Sequence, residues 1–234
     1  VKTLKFRDET YIGDPVNAVK IFNDKEVDEI IITDIWATRN SMDPNFGLIE
    51  QIASECFCPM TYGGGVSSLA HAKTLFSLGI EKLCLQTGAL NTPSLVRDLS
   101  DIYGSQSITI SIDVKKNFFN GWSLFSSDSR KKMNLSWKDF GQTMVDSGAG
   151  EILLNNVDLD GTLLGPDLDL IKEAAQLFPV PLVVQGGIGS IQDVSRAFRA
   201  GADAIAAGAF FVYRGSKRGI LISYPPREEV VNGL

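Results

Sequence analysis

Sliding the 234-residue chain against itself by 122 positions aligns two halves without a gap. Glu29 meets Glu151, Ile30 meets Ile152, Pro44 meets Pro166, Leu48-Ile49 meets Leu170-Ile171, Gly64-Gly65 meets Gly186-Gly187 and Gly79 meets Gly201. Positions 29 to 79 give 12 identities in 51 pairs, and a period this long marks a duplicated architecture rather than a short solenoid repeat. Within each copy, short apolar runs alternate with helix-length stretches. The strand readings are 29–33, 59–62, 82–85, 107–112, 151–154, 181–184 and 203–206. A helix is expected over Pro15 to Asp24 behind a capping Asp14, and another over Asp167 to Phe178 with Leu168, Ile171, Ala174 and Ala175 on one face. Strict alternation implies a parallel sheet. Two half-barrels, approximately residues 1–106 and 107–220, are expected to form one α/β domain over 1–234, a (β/α)8 barrel. The offset leaves the strand that begins at Ser107 with no partner, which would lie ahead of residue 1. Seven barrel strands are therefore counted, and the first is expected to be missing from the chain.

Composition narrows the function classes. A net charge of −6 argues against nucleic acid as a partner, because phosphate backbones demand a basic face. No apolar run approaches the roughly 20 residues needed to cross a bilayer, and the first residues read as neither signal nor transit peptide. Three cysteines, Cys56, Cys58 and Cys84, fit a reduced, cytoplasmic compartment. Cys56-x-Cys58 has no second Cys/His cluster to complete a metal site. The single histidine, His71, falls on a segment that reads as an exposed helix, so a histidine metal site or a Ser-His-Asp triad is not expected. No metal and no cofactor are expected.

Each half carries a glycine turn directly after a strand, Tyr62-Gly63-Gly64-Gly65 and Gln185-Gly186-Gly187-Ile188-Gly189, and a second loop one strand later, Gln86-Thr87-Gly88 and Ala206-Ala207-Gly208. Glycine allows positive φ and close approach, so backbone N–H groups can face a phosphate oxygen. Two matched cradles at one barrel mouth suit an elongated substrate with a phosphate at each end. Acids follow several strands: Asp34, Asp113, and Asp158 with Asp160. Acids at the C-terminal ends of barrel strands read as catalytic, and Asp113 is the residue expected to carry proton transfer. Asp160, before Gly161-Thr162, reads equally well as orienting a loop or a phosphate. Glu29, Lys82 and Glu151 open their strands at the opposite face, the barrel floor, and by pattern alone they solvate it. The segment Val114 to Met133, with an Asn120-Gly121 turn, is the expected loop over the site.

These residues resemble a known family, HisF, the cyclase subunit of imidazole glycerol phosphate synthase, with its sister HisA. The likeness runs over nearly the whole chain and is carried by Gly13-Asp14-Pro15, Asp34-Ile35, Tyr62-Gly63-Gly64-Gly65, Ser111-Ile112-Asp113, Gly148-Ala149-Gly150-Glu151-Ile152-Leu153-Leu154 and Asp158-Leu159-Asp160-Gly161-Thr162. The resemblance implies a glutaminase partner at the barrel floor, ammonia passed through the barrel interior, and condensation at the mouth with a ribulose-linked bisphosphate in histidine biosynthesis. It implies Asp113 as one of two catalytic aspartates, the other belonging to the strand expected ahead of residue 1. Gly64, Gly65 and Thr87 would serve one phosphate, and Asp160, Gly161, Gly186, Gly187, Ala207 and Gly208 the other. Glu29, Lys82 and Glu151 would form the ammonia gate, reversing the reading from pattern, and Glu81 would meet the partner.

The chain departs from the family pattern at Leu159, where arginine is usual, at Trp36, and at Gln86 and Gln185. The ending Leu221-Ile222-Ser223-Tyr224-Pro225 resembles a branch found with surface-polysaccharide genes. That branch implies an alternative function, a HisF-like ammonia conduit for nucleotide-sugar amidation with little cyclase activity. An isomerase of the HisA type fits less well, since it needs no charged gate.

Overall fold

The computed structural model describes residues 1–118, 121–215, 217–226 and 228–230. It opens with a hairpin, β1 (Lys2–Leu4) and β2 (Arg7–Thr10). The main alternation follows as α1 (Pro15–Asp24), β3 (Ile30–Thr33), α2 (Phe46–Ala53), β4 (Met60–Gly63), α3 (Leu69–Ser77), β5 (Lys82–Leu85), α4 (Thr87–Asn91) and α5 (Ser94–Tyr103). Next come β6 (Ile108–Lys116), a hairpin built on it by β7 (Trp122–Ser126) and β8 (Lys131–Lys132), α6 (Trp137–Asp146) and β9 (Glu151–Asn156). The chain continues through α7 (Leu168–Leu177), β10 (Leu182–Gln185), α8 (Ile191–Arg199), β11 (Ala204–Ala206) and α9 (Ala209–Val212), then a short hairpin, β12 (Tyr213–Arg214) and β13 (Gly219–Ile220).

Seven strands are parallel, in the order β11-β10-β9-β6-β5-β4-β3. They are the seven strands expected, and β3 and β11 end the order without pairing to each other among the described residues. The sheet curls inward. Lys82 on β5 reaches Glu29, just ahead of β3, and Glu151 on β9, each at 3.0 Å and on opposite sides of its own strand. This is a mixed α/β fold of the (β/α)8 type. The repeat survives at the level of elements: α3 and α8 begin and end 122 positions apart, and Ser68 and Ser190 cap them with the same hydrogen bond to the third helical N–H. Asp14 and Asp167 cap α1 and α7 in the same way, so both helices start where the capping chemistry places them.

Period-two alternation sorts the strand residues into two sets. On β6, Ile108, Ile110, Ile112 and Val114 face the helices and are fully buried, while Thr109, Ser111 and Asp113 occupy the intervening, inward positions. The outer set packs with Leu83, Leu85, Ile152, Leu154, Leu75, Leu99 and Met144 into one core between sheet and helices. A smaller cluster of Cys84, Leu153 and Val183, with Ile31 and Ala206 against it, fills the inside of the curl.

Two expectations need correction or limits. His71 is half-buried rather than exposed: its Nδ1 lies 3.2 Å from the Gly65 carbonyl and its Nε2 3.3 Å from Asp43. β6 runs to Lys116, four residues past its expected end, because β7 pairs with its extension. Asn120 of the expected hairpin turn lies outside the described residues. Truncation of the outer layer has a definite expected cost. Ile110→Ala, at a fully buried position, lowers unfolding stability by about 2–5 kcal/mol. Urea denaturation reads this directly, and a loss well below that range contradicts the layer assignment.

Candidate active site

The inward residues form three tiers. At the floor, Lys82 sits between Glu29 and Glu151, with Thr61 donating to Glu29 (2.6 Å) and Thr109 donating to Glu151 (2.8 Å). Burial alone would lower the Lys82 pKa, but its hydrogen bonds to Glu151 and Glu29 outweigh that and hold it above the ordinary value. Glu81 is exposed on the chain just before β5, beside this ring. The middle tier is the apolar cluster around Cys84, Leu153 and Val183, where burial drives the Cys84 thiol far upward. The top tier, at the strand C-termini, holds Gln86, Asp113, Asn155 and Gln185; Asp113 is in register with Asn155, and Asn155 with Gln185.

Above this tier lies a cavity of about 310 Å³. Asp113 lies on its wall, 4% exposed. It accepts from Gln86 Nε2 (2.7 Å), Asn155 Nδ2 (3.2 Å) and Ser111 Oγ (3.3 Å). Its pKa is raised to about 6: burial drives it up, those three hydrogen bonds pull against the rise, and the charge of Asp160 adds to it. Asn155 also lines the cavity, and its Oδ1 is buried without a hydrogen-bond partner among the described residues.

The two expected cradles meet at this mouth. Gly64, Gly65, Thr87 and Gly88 line the cavity on one side. On the other side Asp160, Gly161, Gly186, Gly187, Ala207 and Gly208 line an adjoining crevice. Gly64 (φ 116°) and Gly187 (φ 90°) show why glycine is required there. A Cβ would stand 2.4 Å from the Asp34 carbonyl oxygen in the first case and 2.0 Å from that of Gly165 in the second. In the first glycine turn the Gly65 N–H donates to Thr38 Oγ1 (3.1 Å).

The other strand-end acids divide by role. Asp34 accepts from the N–H groups of Trp36 and Ala37 and so orders its own turn. Asp158 accepts from Lys116 N and braces the β6 extension. Asp160 is 2% exposed and holds Lys2 Nζ (2.8 Å) and Thr3 Oγ1 (3.0 Å). Lys2 lies against Gly208, putting a cation at the second cradle, and Arg39 lines the cavity beside the first. Sequence reasoning missed Lys2, Thr38, Arg39 and Asn155. Lys2 and Arg39 stand in segments without a chemical motif, and only the fold carries them to the mouth. No group of three or more His, Cys, Asp or Glu side chains among the described residues could hold a metal ion. No helix among the described residues is long and apolar enough to cross a membrane.

A curled parallel sheet with its buried acid and glycine turns at the carboxyl ends of the strands places the chain among the barrel-type α/β proteins whose chemistry lies at that face. Comparison with known proteins narrows this class. Residues 1–217 match the sequence model of the family described as "Histidine biosynthesis protein", and the chain belongs to that family. A Pseudomonas aeruginosa protein named "Putative imidazole glycerol phosphate synthase subunit hisF2" is 46% identical over 226 residues, covering 96% of this chain and 90% of its own length. A Leptospira interrogans protein named as such a subunit, HisF, is 40% identical over 231 residues, 98% of this chain and 91% of its own. A Vibrio vulnificus protein with the name hisF3 is 40% identical over 239 residues, covering all of this chain and 91% of its own length.

The burial of Asp113 has a measurable consequence. Its folded pKa of about 6 lies above the ordinary carboxylate value of 3.8, so the folded state takes up the proton first as pH falls. The penalty is present at neutral pH and is relieved between pH 7 and 4. Relative to Asp113→Asn, the wild type is expected to gain about 1 kcal/mol of unfolding stability between pH 7 and pH 5. Parallel pH profiles for the two proteins by urea unfolding would contradict this.

Proposed function

We propose that this chain is the synthase subunit of a glutamine amidotransferase of the HisF type, acting in the cytoplasm in histidine biosynthesis. In this reading a glutaminase docks at the floor near Glu81 and supplies ammonia, and the mouth condenses it with a ribulose-linked bisphosphate, a cyclase and lyase reaction. The carrying observation is that the Glu29–Lys82–Glu151 ring and Asp113 lie on inward positions of the same curled sheet, with an apolar tier between them. Ammonia is small and neutral, so a lumen lined by Cys84, Leu153 and Val183 admits it at low cost while disfavouring ions. The charged ring would act as the gate, since Lys82 must leave at least one carboxylate for a molecule to pass.

At the mouth, a pKa near 6 leaves Asp113 mostly ionised at neutral pH yet close enough to pick up and return a proton, the condition for general acid–base work. Gly64, Gly65 and Thr87 would hold one phosphate of the substrate. Gly186, Gly187, Ala207 and Gly208 would hold the other, with Asp160 orienting Lys2 toward it through their ion pair.

Steady-state turnover of the full-length protein tests this, using the histidine-pathway bisphosphate with an ammonium salt as nitrogen source. The expected result is turnover that falls by about a hundredfold or more in Asp113→Asn. Absence of turnover, with a co-expressed glutaminase still bound and stimulated, would instead leave the chain as an ammonia conduit for another amidation.

A further inference from the structure

Gln86 departs from the smaller residue of the family pattern, and all four of its side-chain hydrogen-bonding positions are occupied. Its Oε1 accepts from Ser127 N (3.0 Å) and Ser127 Oγ (2.6 Å); its Nε2 donates to Phe125 O (3.3 Å) and Asp113 Oδ2 (2.7 Å). The side chain is nine-tenths buried. Two of these partners are backbone groups, and they leave no choice of orientation. A backbone N–H must donate and a backbone carbonyl must accept, so the amide oxygen faces Ser127 and the amide nitrogen faces Phe125 and Asp113. The β7 segment therefore dictates that Asp113 Oδ2 meets a donor. Asp113 Oδ1 is held at longer range by Asn155 and Ser111 and is the oxygen left for proton exchange.

The β7–β8 hairpin leans on the mouth through further bonds that bypass Asp113. Arg39 Nε donates to Ser127 O (3.4 Å), Arg130 donates to Phe6 O (3.2 Å), and the Phe125 ring packs near Phe6. We propose that Gln86 is a positioning residue that couples closure of this hairpin to the ionised, aimed state of Asp113. The proposal deepens the reading of Asp113 as the acid–base group and rests on it. With the hairpin seated, the Gln86 amide stabilises the carboxylate at Oδ2. With it displaced, the amide loses both backbone anchors and the acid loses its shortest hydrogen bond. By linkage the converse holds: ionisation of Asp113 favours the seated hairpin. Other charged groups face the same space and remain in every variant: Asp160 with its partner Lys2, Asp34, Arg39 and Asp128 around the cavity, and the Cys84 thiol below.

The test reads the acid and the loop separately and does not use turnover, so an inactive protein would overturn the proposed function while leaving this measurement intact. The Asp113 carboxyl carbon is titrated by NMR in aspartate-labelled full-length protein and assigned with Asp113→Asn. Amide exchange is followed at Leu124 to Ser127. In Gln86→Leu the Asp113 midpoint is expected to rise by about one unit, equivalent to a tenfold weaker hold on the carboxylate. Exchange at the hairpin is expected to rise roughly tenfold. In the wild type, hairpin opening, read as exchange relative to the intrinsic rate at each pH, increases as pH falls through the Asp113 midpoint, and in Gln86→Leu it loses this pH dependence. Ser127→Ala, on the loop and without contact to Asp113, guards against a misfolded Gln86 variant. It is expected to raise the midpoint in the wild-type background and to do nothing in Gln86→Leu. Unchanged midpoints in both variants, or hairpin opening indifferent to pH in the wild type once the intrinsic exchange rate is divided out, would overturn the coupling.

Discussion

Period-two alternation along curled parallel strands is the constraint from which the rest of the structure follows. On β6 the residues at even positions, Ile108 through Val114, leave no surface exposed, and that outer layer seats the helices. Once it is fixed, Thr109, Ser111 and Asp113 have only the interior to enter. The same logic on β5 sends Lys82, Cys84 and Gln86 inward, and on β9 it sends Glu151, Leu153 and Asn155. A floor of charge, a waist of apolar side chains and a mouth of amides and an acid are thus three levels of one pleat. A one-residue slip of any inner strand would exchange the functional set for the core set.

The cost of burying polar groups decides how each tier is built. At the floor, Lys82 and its two glutamates offset one another's charge, and the flanking threonines take further lone pairs. At the mouth, Asp113 meets only neutral donors among the described residues, so burial keeps its pKa high. A carboxylate kept this way is a poor stabiliser of the fold and a good proton carrier. Asp160, equally buried but paired with Lys2, is suited instead to fixing a charge in place.

Much of this was legible in the sequence, for reasons that are local. The caps Asp14 and Asp167 and the paired glycines depend on near neighbours along the chain, the 122-residue offset repeats those local signals in each half, and the observed elements fall where they place them. At the floor, pattern alone places Glu29, Lys82 and Glu151 at the starts of their strands but reads them as solvating charges, and only the family resemblance reads them as a set. What was not legible depends on long-range placement. Lys2 meets Asp160 across 158 positions and Arg39 meets Ser127 across 88, and neither pairing leaves a trace in the pattern. His71 reads as a solvent-facing helix residue because its helix is only weakly amphipathic, yet the first glycine turn draws it in through the Gly65 carbonyl. The network around Gln86 is hidden for the same reason, since its partners come from a hairpin about forty positions away.

Central to the proposed function is that the two cradles serve one elongated ligand across Asp113. Amide NMR shifts of Gly64, Gly65, Gly186 and Gly187 during titration with a linear pentose bisphosphate test that claim most directly. The account predicts that all four respond together and saturate at one equivalent. Shifts confined to one pair of glycines, or shifts that reach saturation separately for the two pairs, would contradict it.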